Sequence, residues 1–183
     1  MAGVLLTGGA SRRMGIDKAR LVVNGETLAV RSARVLAAVC DPVIEVGLAV
    51  SGLPAVREEP PGGGPLAGLL AGVGALGEPL SVVLLACDLA NISAPVLQLL
   101  VDRPGSGTVI PVVDGRPQYA CARYGAAAFE AARAALQRGD ASLRAIAGSE
   151  CEYVSEADWL GVATALTFAD VDTPEDLHRL GLS

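Results

Sequence analysis

Lysine, histidine and aromatic residues are scarce in this sequence. Lys18 is its one lysine, His178 is its one histidine, and aromatic residues make up 3% of the 183 positions. No apolar run reaches the roughly 18–20 residues that a membrane-spanning helix needs. Glycines and arginines interrupt the first apolar stretch, so the N-terminus is not typical of a signal peptide. We therefore expect a cytoplasmic protein that does not bind membranes, with a core of Leu, Val, Ile and Ala.

Cysteine pairs are absent as well. Cys40, Cys87, Cys121 and Cys151 are widely spaced and form no C-x-x-C motif. Their apolar neighbours favour buried free thiols over disulfides. Without a cysteine pair and with a single histidine, the sequence disfavours a Cys/His zinc site and a histidine-dependent catalytic triad.

Positive charge is concentrated near the N-terminus of an acidic chain. The net charge is −6, which argues against general binding of nucleic acids. Residues 1–24 nevertheless carry four positive side chains against Asp17 alone, a local balance of +3; they are Arg12, Arg13, Lys18 and Arg20. A basic segment on an acidic protein indicates a small anionic ligand rather than a polymer.

Apolar runs alternate with helical patterns along the chain, which is expected to form one domain over residues 1–183. Strands are predicted at residues 3–7, 43–47, 81–86 and 108–112, and helices at 27–40, 65–76, 94–102, 126–138 and 174–180. The run "SVVLLA" is almost wholly apolar, as in a strand covered on both faces. The alternation predicts an α/β fold with a mostly parallel sheet and helices on both faces.

Two segments depart from this alternation. "VIPVVDGRPQYACARY" has two strand-like runs around Asp114-Gly115, which predicts a late antiparallel hairpin that builds part of a site. "EEPPGGGPLAG", residues 58–68, is too rich in proline and glycine for a regular element, and it predicts a shaped loop that enters a helix.

The segment "VLLTGGASRRMGIDKARL", residues 4–21, has the composition of a phosphate-binding loop. Glycines let the backbone approach a phosphate, arginine pairs with its oxygens, and lysine adds a mobile point charge. The segment is neither a Walker A loop nor a G-x-G-x-x-G fingerprint. An ordinary turn with solvated arginines remains the alternative.

The same segment resembles the signature L-x-G-G-x-S-x-R-M-G-x-D-K-A of the molybdenum cofactor guanylyltransferases, the MobA family of nucleotidyltransferases. Four further segments are similar to family motifs in the same order: "GPLAGL", "VVLLACDL", "DGRPQYACARY" and "DVDTPEDL". The resemblance implies a three-layer, Rossmann-like nucleotidyltransferase fold.

The implied reaction is transfer of GMP from GTP to the terminal phosphate of molybdopterin that carries molybdenum, with release of pyrophosphate. Mg²⁺ would be the cofactor, and molybdoenzymes or their chaperones could receive the product. Three alternatives stay open: a cytidylyltransferase, a sugar-phosphate nucleotidyltransferase, and a degenerate paralogue that only binds the nucleotide or the cofactor.

The resemblance also implies roles for individual residues. Nucleotide contacts would come from Leu6, Thr7, Gly8, Gly9, Lys18, Glu59 and Asp88. Arg13 and Lys18 would hold the triphosphate, and Asp88 would bind Mg²⁺ with Asp172 as a second metal contact. The pterin side would include Arg116, Gln118 and Asp170. Taken without the family, Asp88 could instead be a turn or helix N-cap residue.

Several positions differ from the family pattern. Thr7 replaces an alanine, Ala90 replaces a proline after the metal aspartate, and Asp170 and Asp172 replace asparagines. These differences affect the second substrate and base selection more than the triphosphate site. Gly9 together with Asp17-Lys18 favours guanine over cytosine.

Overall fold

The computed structural model describes residues 1–8, 17–147, 150–159 and 161–182. Its strands are β1 (Ala2–Leu6), β2 (Val22–Val23), β3 (Glu26–Thr27), β4 (Val43–Val46), β5 (Ala55–Val56), β6 (Ser81–Ala86), β7 (Thr108–Val113), β8 (Arg116–Pro117), β9 (Cys121–Gly125) and β10 (Cys151–Val154). Its α-helices are α1 (Leu28–Ala37), α2 (Gly64–Ala75), α3 (Ala94–Asp102), α4 (Ala126–Gln137), α5 (Glu156–Trp159) and α6 (Pro174–Arg179). Short 3₁₀ turns lie at Lys18–Arg20, Leu143–Ile146 and Ala165–Phe168.

The main sheet has the strand order β10-β7-β9-β6-β1-β4-β5. Every pairing in this order is parallel except those of β9, which runs antiparallel to both β6 and β7. This confirms the predicted, mostly parallel α/β fold. In such a sheet the carboxyl ends of β1 and β6 point to the same edge, where ligands of this architecture bind.

Two apolar layers cover the sheet, one on each face. Along β1 and β6 the side chains alternate between them: Leu5 and Val83 pack with α1 and α3, whereas Val4 and Leu84 pack with α2 and α4. Both faces of the central strands are therefore buried, which explains the continuous apolar run of β6. A third cluster joins Val23 of the β2–β3 hairpin to Ala90 and Val171.

The predicted hairpin is confirmed, but its second run continues differently. Asp114 and Gly115 both have positive φ, 48° and 71°, and the turn pairs Val113 with Arg116. The pairing lasts only two residues, and the chain then inserts β9 between β6 and β7. The pairing of β9 with β6 covers five residues in register, and β9 also pairs with β7, so the segment is part of the central sheet.

Some elements differ from the sequence-based expectations. The helix predicted at 27–40 begins after Thr27, whose side chain caps it, and ends at Ala37. The sequence did not predict β2, β3, β5 and β10. The first three are only two residues long, and β10 lies at the edge of the sheet with Glu152 and Tyr153 exposed, so its apolar pattern is weak.

Cys40, Cys87 and Cys121 are buried free thiols, as the sequence indicated, whereas Cys151 is only half-buried. Burial raises the pKa of Cys40 to about 11 and those of Cys87 and Cys121 to about 12. Among the described residues, we find no helix with the length and apolarity needed to cross a bilayer.

Candidate active site

Lys18 lies on a short 3₁₀ turn at the carboxyl edge of the sheet. Asp17 caps this turn, since its Oδ1 accepts a hydrogen bond from the Ala19 backbone N at 3.1 Å, and Ala19 itself is buried in the core. The Lys18 Nζ lies 3.4 Å from Asp88 Oδ2 and donates a hydrogen bond to Asp172 Oδ1. Burial alone would lower the pKa of Lys18, but the two carboxylates outweigh it and raise that pKa.

Asp88 follows β6 directly and points towards Lys18. The Asp88 carbonyl oxygen accepts a hydrogen bond from the Val171 backbone N at 3.0 Å, which joins this loop to the C-terminal segment. Burial raises the pKa of the Asp88 carboxyl; the charge of Asp170 adds to the effect and Lys18 opposes it. The N-cap of α3 is Ser93, so the structure does not give Asp88 the alternative role of a helix cap.

Asp172 precedes α6, whose N-terminus is fixed by a capping box. Thr173 and Asp176 exchange hydrogen bonds across this first turn, and the Asp172 backbone N donates to Asp176 Oδ2 at 2.9 Å. The motif "DTPEDL" therefore starts a helix, and it also presents Asp172 to Lys18. Together with Asp88, three charged groups from distant parts of the chain meet at one point.

A cavity of about 540 Å³ opens beside this cluster. Its volume is in the range of small-molecule sites. Its charged lining residues are Asp17, Lys18, Asp88 and Arg144. Ala19, next to Lys18, packs in the layer of α1 and α3, whereas Leu143, next to Arg144, packs in the layer of α2 and α4 on the opposite face of the sheet. The other lining residues are Leu6, Thr7, Gly8, Ala19, Pro65, Ala86, Cys87, Tyr119, Ala120, Ser142 and Leu143.

The sequence did not single out the wall formed by Ser142, Leu143 and Arg144. Asp140 Oδ1 accepts from the Ser142 backbone N at 3.0 Å, and Ser142 Oγ accepts from the Arg144 backbone N at 3.2 Å. The Leu66 backbone N, near the start of α2, donates to Ala141 O at 3.2 Å. The turn signal in "GDASLR", with one arginine at its end, could have marked this wall.

A buried carboxylate lies beneath the end of β1. Glu45 of β4 is completely buried; its carboxylate accepts from Thr7 Oγ1 and Ser51 Oγ, each at 2.5 Å, and from the Ser51 backbone N at 2.8 Å. Burial would raise the pKa of Glu45, but these donors outweigh it and lower that pKa. Thr7 Oγ1 also accepts from the Leu48 backbone N at 3.0 Å. Thr7, which differs from the family pattern, therefore joins the cavity to the loop after β4.

Some of the predicted nucleotide-binding residues line the cavity, and others do not. Leu6, Thr7, Gly8, Lys18 and Asp88 line the cavity, whereas Gly9 and Arg13 lie outside the described residues. The backbone N of Thr7 donates to Val46 O, and Leu6 O accepts from the Cys87 backbone N, so the sheet already engages both groups.

The acidic residue beside Gly8 is Glu58. Glu59 is exposed, whereas Glu58 is half-buried and its Oε1 accepts from the Gly62 backbone N at 3.1 Å. A Cβ on Gly8 would lie 3.9 Å from that same Oε1. Glu58 is therefore the better placed of the two carboxylates for a contact at the end of β1.

The predicted pterin-side residues lie at the margin of the site. Arg116 is exposed, and Gln118 Nε2 donates to Arg116 O at 3.0 Å; neither belongs to the described cavity lining, although Tyr119 and Ala120 follow directly. Asp170 is exposed and acts electrostatically on Asp88.

The donor set fits a divalent metal ion held jointly with a substrate. The Lys18 ammonium between the carboxylates of Asp88 and Asp172 shows that this point accommodates a cation. Within the described residues, no group of three or more Asp, Glu, His or Cys side chains is arranged to hold a metal. Mg²⁺ is typically bound by one or two carboxylates and substrate phosphates, and such a site needs no larger cluster.

Comparison with known proteins gives a consistent result. Residues 3–154 match the family described as the MobA-like NTP transferase domain. A relative from Opitutus terrae, named "Probable molybdenum cofactor guanylyltransferase", is 39% identical over 154 residues, which cover 79% of this chain and 76% of the relative. Its name and the matched family both concern nucleotidyl transfer.

Solved structures share the fold. The molybdopterin-guanine dinucleotide biosynthesis protein A from Archaeoglobus fulgidus superposes with a TM-score of 0.83 at 21% identity, covering 98% of this chain and 96% of that one. A Mycobacterium tuberculosis protein solved as a complex with manganese gives a TM-score of 0.66 at 16% identity, covering 98% of this chain and 96% of its own. These TM-scores support the three-layer nucleotidyltransferase fold.

Proposed function

The chain belongs to the MobA-like NTP transferase domain family, and from this premise we propose that it transfers GMP from GTP to the terminal phosphate of Mo-molybdopterin. The observation that carries the proposal is the position of Lys18, between two carboxylates at the mouth of the cavity at the ends of β1 and β6. We further propose that residues 1–183 act as one nucleotidyltransferase domain, with GTP and Mo-molybdopterin as substrates and molybdoenzymes or their chaperones as recipients.

In this reaction an oxygen of the molybdopterin phosphate attacks the α-phosphorus of GTP. The bond from that phosphorus to the bridging α,β-oxygen breaks, a new phosphoanhydride forms, and pyrophosphate leaves with the electron pair. Because both reacting groups are phosphates, no nucleophilic side chain is required; the protein supplies in-line placement and charge neutralisation. The product is molybdopterin guanine dinucleotide.

Lys18 is placed to neutralise the triphosphate. Its flexible stem carries a compact charge that can leave Asp172 for a phosphate oxygen when GTP binds. Arg13 is proposed as its partner from the opening motif. Asp88 would hold Mg²⁺, with Asp172 as a second contact, and the bound metal would offset charge on the phosphates.

The opposite wall is suited to the second substrate. Arg144 lines the cavity, and so do Tyr119 and Ala120, which follow Arg116 and Gln118 in the sequence. We assign the acceptor to this side, with Arg116, Gln118 and Asp170 at its outer margin. The nucleotide then occupies the side formed by Leu6, Thr7 and Gly8, where Glu58 is better placed than the predicted Glu59. Gly9 is proposed as a further nucleotide contact from the opening motif.

Nucleotide binding tests these assignments without turnover. Mg²⁺ should strengthen GTP binding to the wild type about tenfold or more, and Asp88→Asn should remove this effect because the ligand charge is lost. Asp102→Asn, an exposed carboxylate at the end of α3, is the matched control. An unchanged Mg²⁺ effect in Asp88→Asn, measured by calorimetry, would exclude Asp88 as a metal ligand.

A further inference from the structure

Two neighbouring residues of α1, Arg31 and Ser32, donate hydrogen bonds to the loop that carries Asp88. Arg31 Nε donates a hydrogen bond to Ala90 O at 2.7 Å, and Ser32 Oγ donates to Cys87 O at 3.3 Å. These two carbonyl groups flank Asp88 on either side. The hydrogen bonds therefore fix the backbone at both ends of the residue that is assigned to the metal.

The Arg31 contact satisfies a polar group in apolar surroundings. Ala90 is 1% exposed and packs in the cluster with Val23 and Val171. A buried carbonyl without a partner is costly, so a loop that lost this donor would tend to move until its carbonyl reached water or another donor. Because Ala90 lies two residues after Asp88, such a movement would displace the Asp88 carboxylate.

The ion pair of Arg31 with Glu26 explains the position of the Arg31 side chain less well than its hydrogen bond to Ala90 O does. Arg31 Nη1 lies 3.5 Å from Glu26 Oε1, whereas Arg34 Nη2 lies 2.6 Å from the same oxygen. Glu26 is therefore paired mainly with Arg34, one turn further along α1. Arg31 is half-buried and directs its Nε to the loop, while Arg34 is exposed.

We propose that Arg31 is a positioning residue for divalent-metal binding: through the Ala90 carbonyl it holds Asp88 in the geometry that the metal requires. Ser32 supports the same loop at Cys87. The inference rests on the proposed function, because Asp88 is the metal ligand only in that assignment. It adds a residue of α1, outside the cavity, to the residues that determine metal affinity.

The test compares Arg31→Met with Arg34→Met. Each variant loses one arginine of α1 that contacts Glu26 and keeps an apolar stem, but only the first loses the bond to Ala90. Mn²⁺ affinity is measured by electron paramagnetic resonance in the presence of a GTP analogue with an α,β-methylene bridge, so no turnover is needed. Thermal unfolding of each variant is recorded in parallel.

We expect Arg31→Met to raise the Kd for Mn²⁺ about tenfold, as observed for residues that orient metal ligands, and Arg34→Met to change it less than about twofold. The direction of the change in Kd is informative, because removing a positive charge near a cation site would by itself lower the Kd for Mn²⁺. Equal Kd values for the two variants, or tighter binding by Arg31→Met, would overturn the proposal.

Two further variants keep the test decisive. Glu26→Gln removes the ion pairs of both arginines and leaves the Ala90 contact, so its Mn²⁺ affinity should match the wild type. If Arg31→Met does not fold, Arg31→Gln replaces it, because its amide lacks the reach of the guanidinium and is expected to weaken Mn²⁺ binding as well. Wild-type Mn²⁺ affinity in a folded Arg31→Gln would then overturn the proposal.

The Mn²⁺ affinity of Asp88→Asn distinguishes a failure of the proposed function from a failure of the positioning role. If Asp88→Asn binds Mn²⁺ as tightly as the wild type, the metal assignment itself is wrong. If Asp88→Asn loses Mn²⁺ and Arg31→Met does not, the metal assignment stands and only the positioning role fails.

Discussion

Lys18 connects the sequence of this protein to its proposed chemistry. Its ammonium group lies between Asp88 and Asp172, where arginine could not act as a compact point charge. The other 13 positive side chains are arginines, and those with described ion pairs range from exposed, as Arg34 is, to half-buried, as Arg31 and Arg103 are. The sequence singled out Lys18 and Asp88 because both belong to contiguous motifs, and the structure brings them to the same cavity.

The ion pair with Asp172 gives a test of how that residue acts. Asp172→Asn removes a negative charge that pairs with the Lys18 ammonium and would repel the approaching triphosphate. We therefore expect metal-free GTP binding to tighten, and the strengthening by Mg²⁺ to shrink because one proposed metal contact loses its charge. Calorimetry with and without Mg²⁺ measures both effects. A full Mg²⁺ effect in this variant would leave Asp172 as a partner of Lys18 and not as a metal ligand.

Glu45 contributes stability that depends on pH. Its hydrogen bonds lower the pKa of the Glu45 carboxyl in the folded protein below the ordinary value of 4.5. The charged carboxylate therefore stabilises the fold fully above pH 4.5. This contribution is lost as the pH falls through the folded-state pKa. Glu45→Gln should therefore destabilise the protein by about 1–3 kcal/mol at pH 7, and by less in the acidic range below pH 4.5.

Urea unfolding at several pH values measures this difference. Glu130→Gln, at an exposed glutamate on α4, is the matched control and should change the free energy of unfolding at pH 7 by less than about 0.5 kcal/mol. If Glu45→Gln lowered the free energy of unfolding as much at acidic pH as at pH 7, the result would contradict a stabilising role for the charge of Glu45. Neither Glu45 nor its partner Ser51 belongs to a recognisable motif, so the sequence could not reveal this network.

At the scale of elements, the close packing of α2 on β1 holds the cavity wall in place. A Cβ on Gly72 would lie 2.7 Å from Val4 Cγ1, and one on Gly68 would lie 3.0 Å from Leu6 Cδ2. The helix can approach the strand only because these positions lack side chains. The start of α2 then brings Pro65 to the cavity and contacts the wall at Ala141.

Two alanine substitutions in α2 separate packing from helix propensity. Gly72→Ala should destabilise the protein by about 1–3 kcal/mol, because its methyl group overlaps Val4. Gly74→Ala, in the same helix with no atom within 4 Å of its Cβ, should stabilise it by about 0.5–1 kcal/mol. Chemical unfolding measures both values. Stabilisation by both substitutions would show that α2 does not pack closely on β1.

Two features made elements predictable from the sequence, apolar patterns and helix-start signals. β6 has a continuous buried run, α4 has a buried face at helical spacing formed by Ala128, Phe129, Ala132 and Ala135, and α6 has the start signal Thr173-Pro174. The two-residue strands and the edge strand β10 depend on pairing partners elsewhere in the chain, which no local pattern records. The insertion of β9 between β6 and β7 likewise depends on long-range register and not on the Asp114-Gly115 turn that precedes it.

At the scale of the whole molecule, the fold gathers residues from across the chain into one site. Lys18, Asp88 and Asp172 are separated by 70 and 84 positions, and parallel strands bring the first two to one edge. The family resemblance placed Lys18 and Asp88 at one site, and Asp172 was expected there as a second metal contact. The wall at Ser142–Arg144 could not be predicted in the same way, because it lies opposite the motifs only after α4 has packed on the sheet.

The acidic surface of the whole protein also bears on substrate choice. With a net charge of −6, the molecule repels large polyanions, so binding of a phosphorylated substrate must depend on the local positive groups at the cavity. Among the described residues, Lys18 and Arg144 are such groups. The function therefore depends on where charge is placed and not on its total.

The measurement that tests the proposed function most directly is Mg²⁺-dependent release of pyrophosphate from GTP and from CTP, each with molybdopterin that carries molybdenum. We expect release with GTP and not with CTP, and no release from GTP by Asp88→Asn. Release with CTP alone would keep the fold and the mechanism but contradict guanine selection. Tight GTP binding without release from either nucleotide would contradict the guanylyltransferase activity itself.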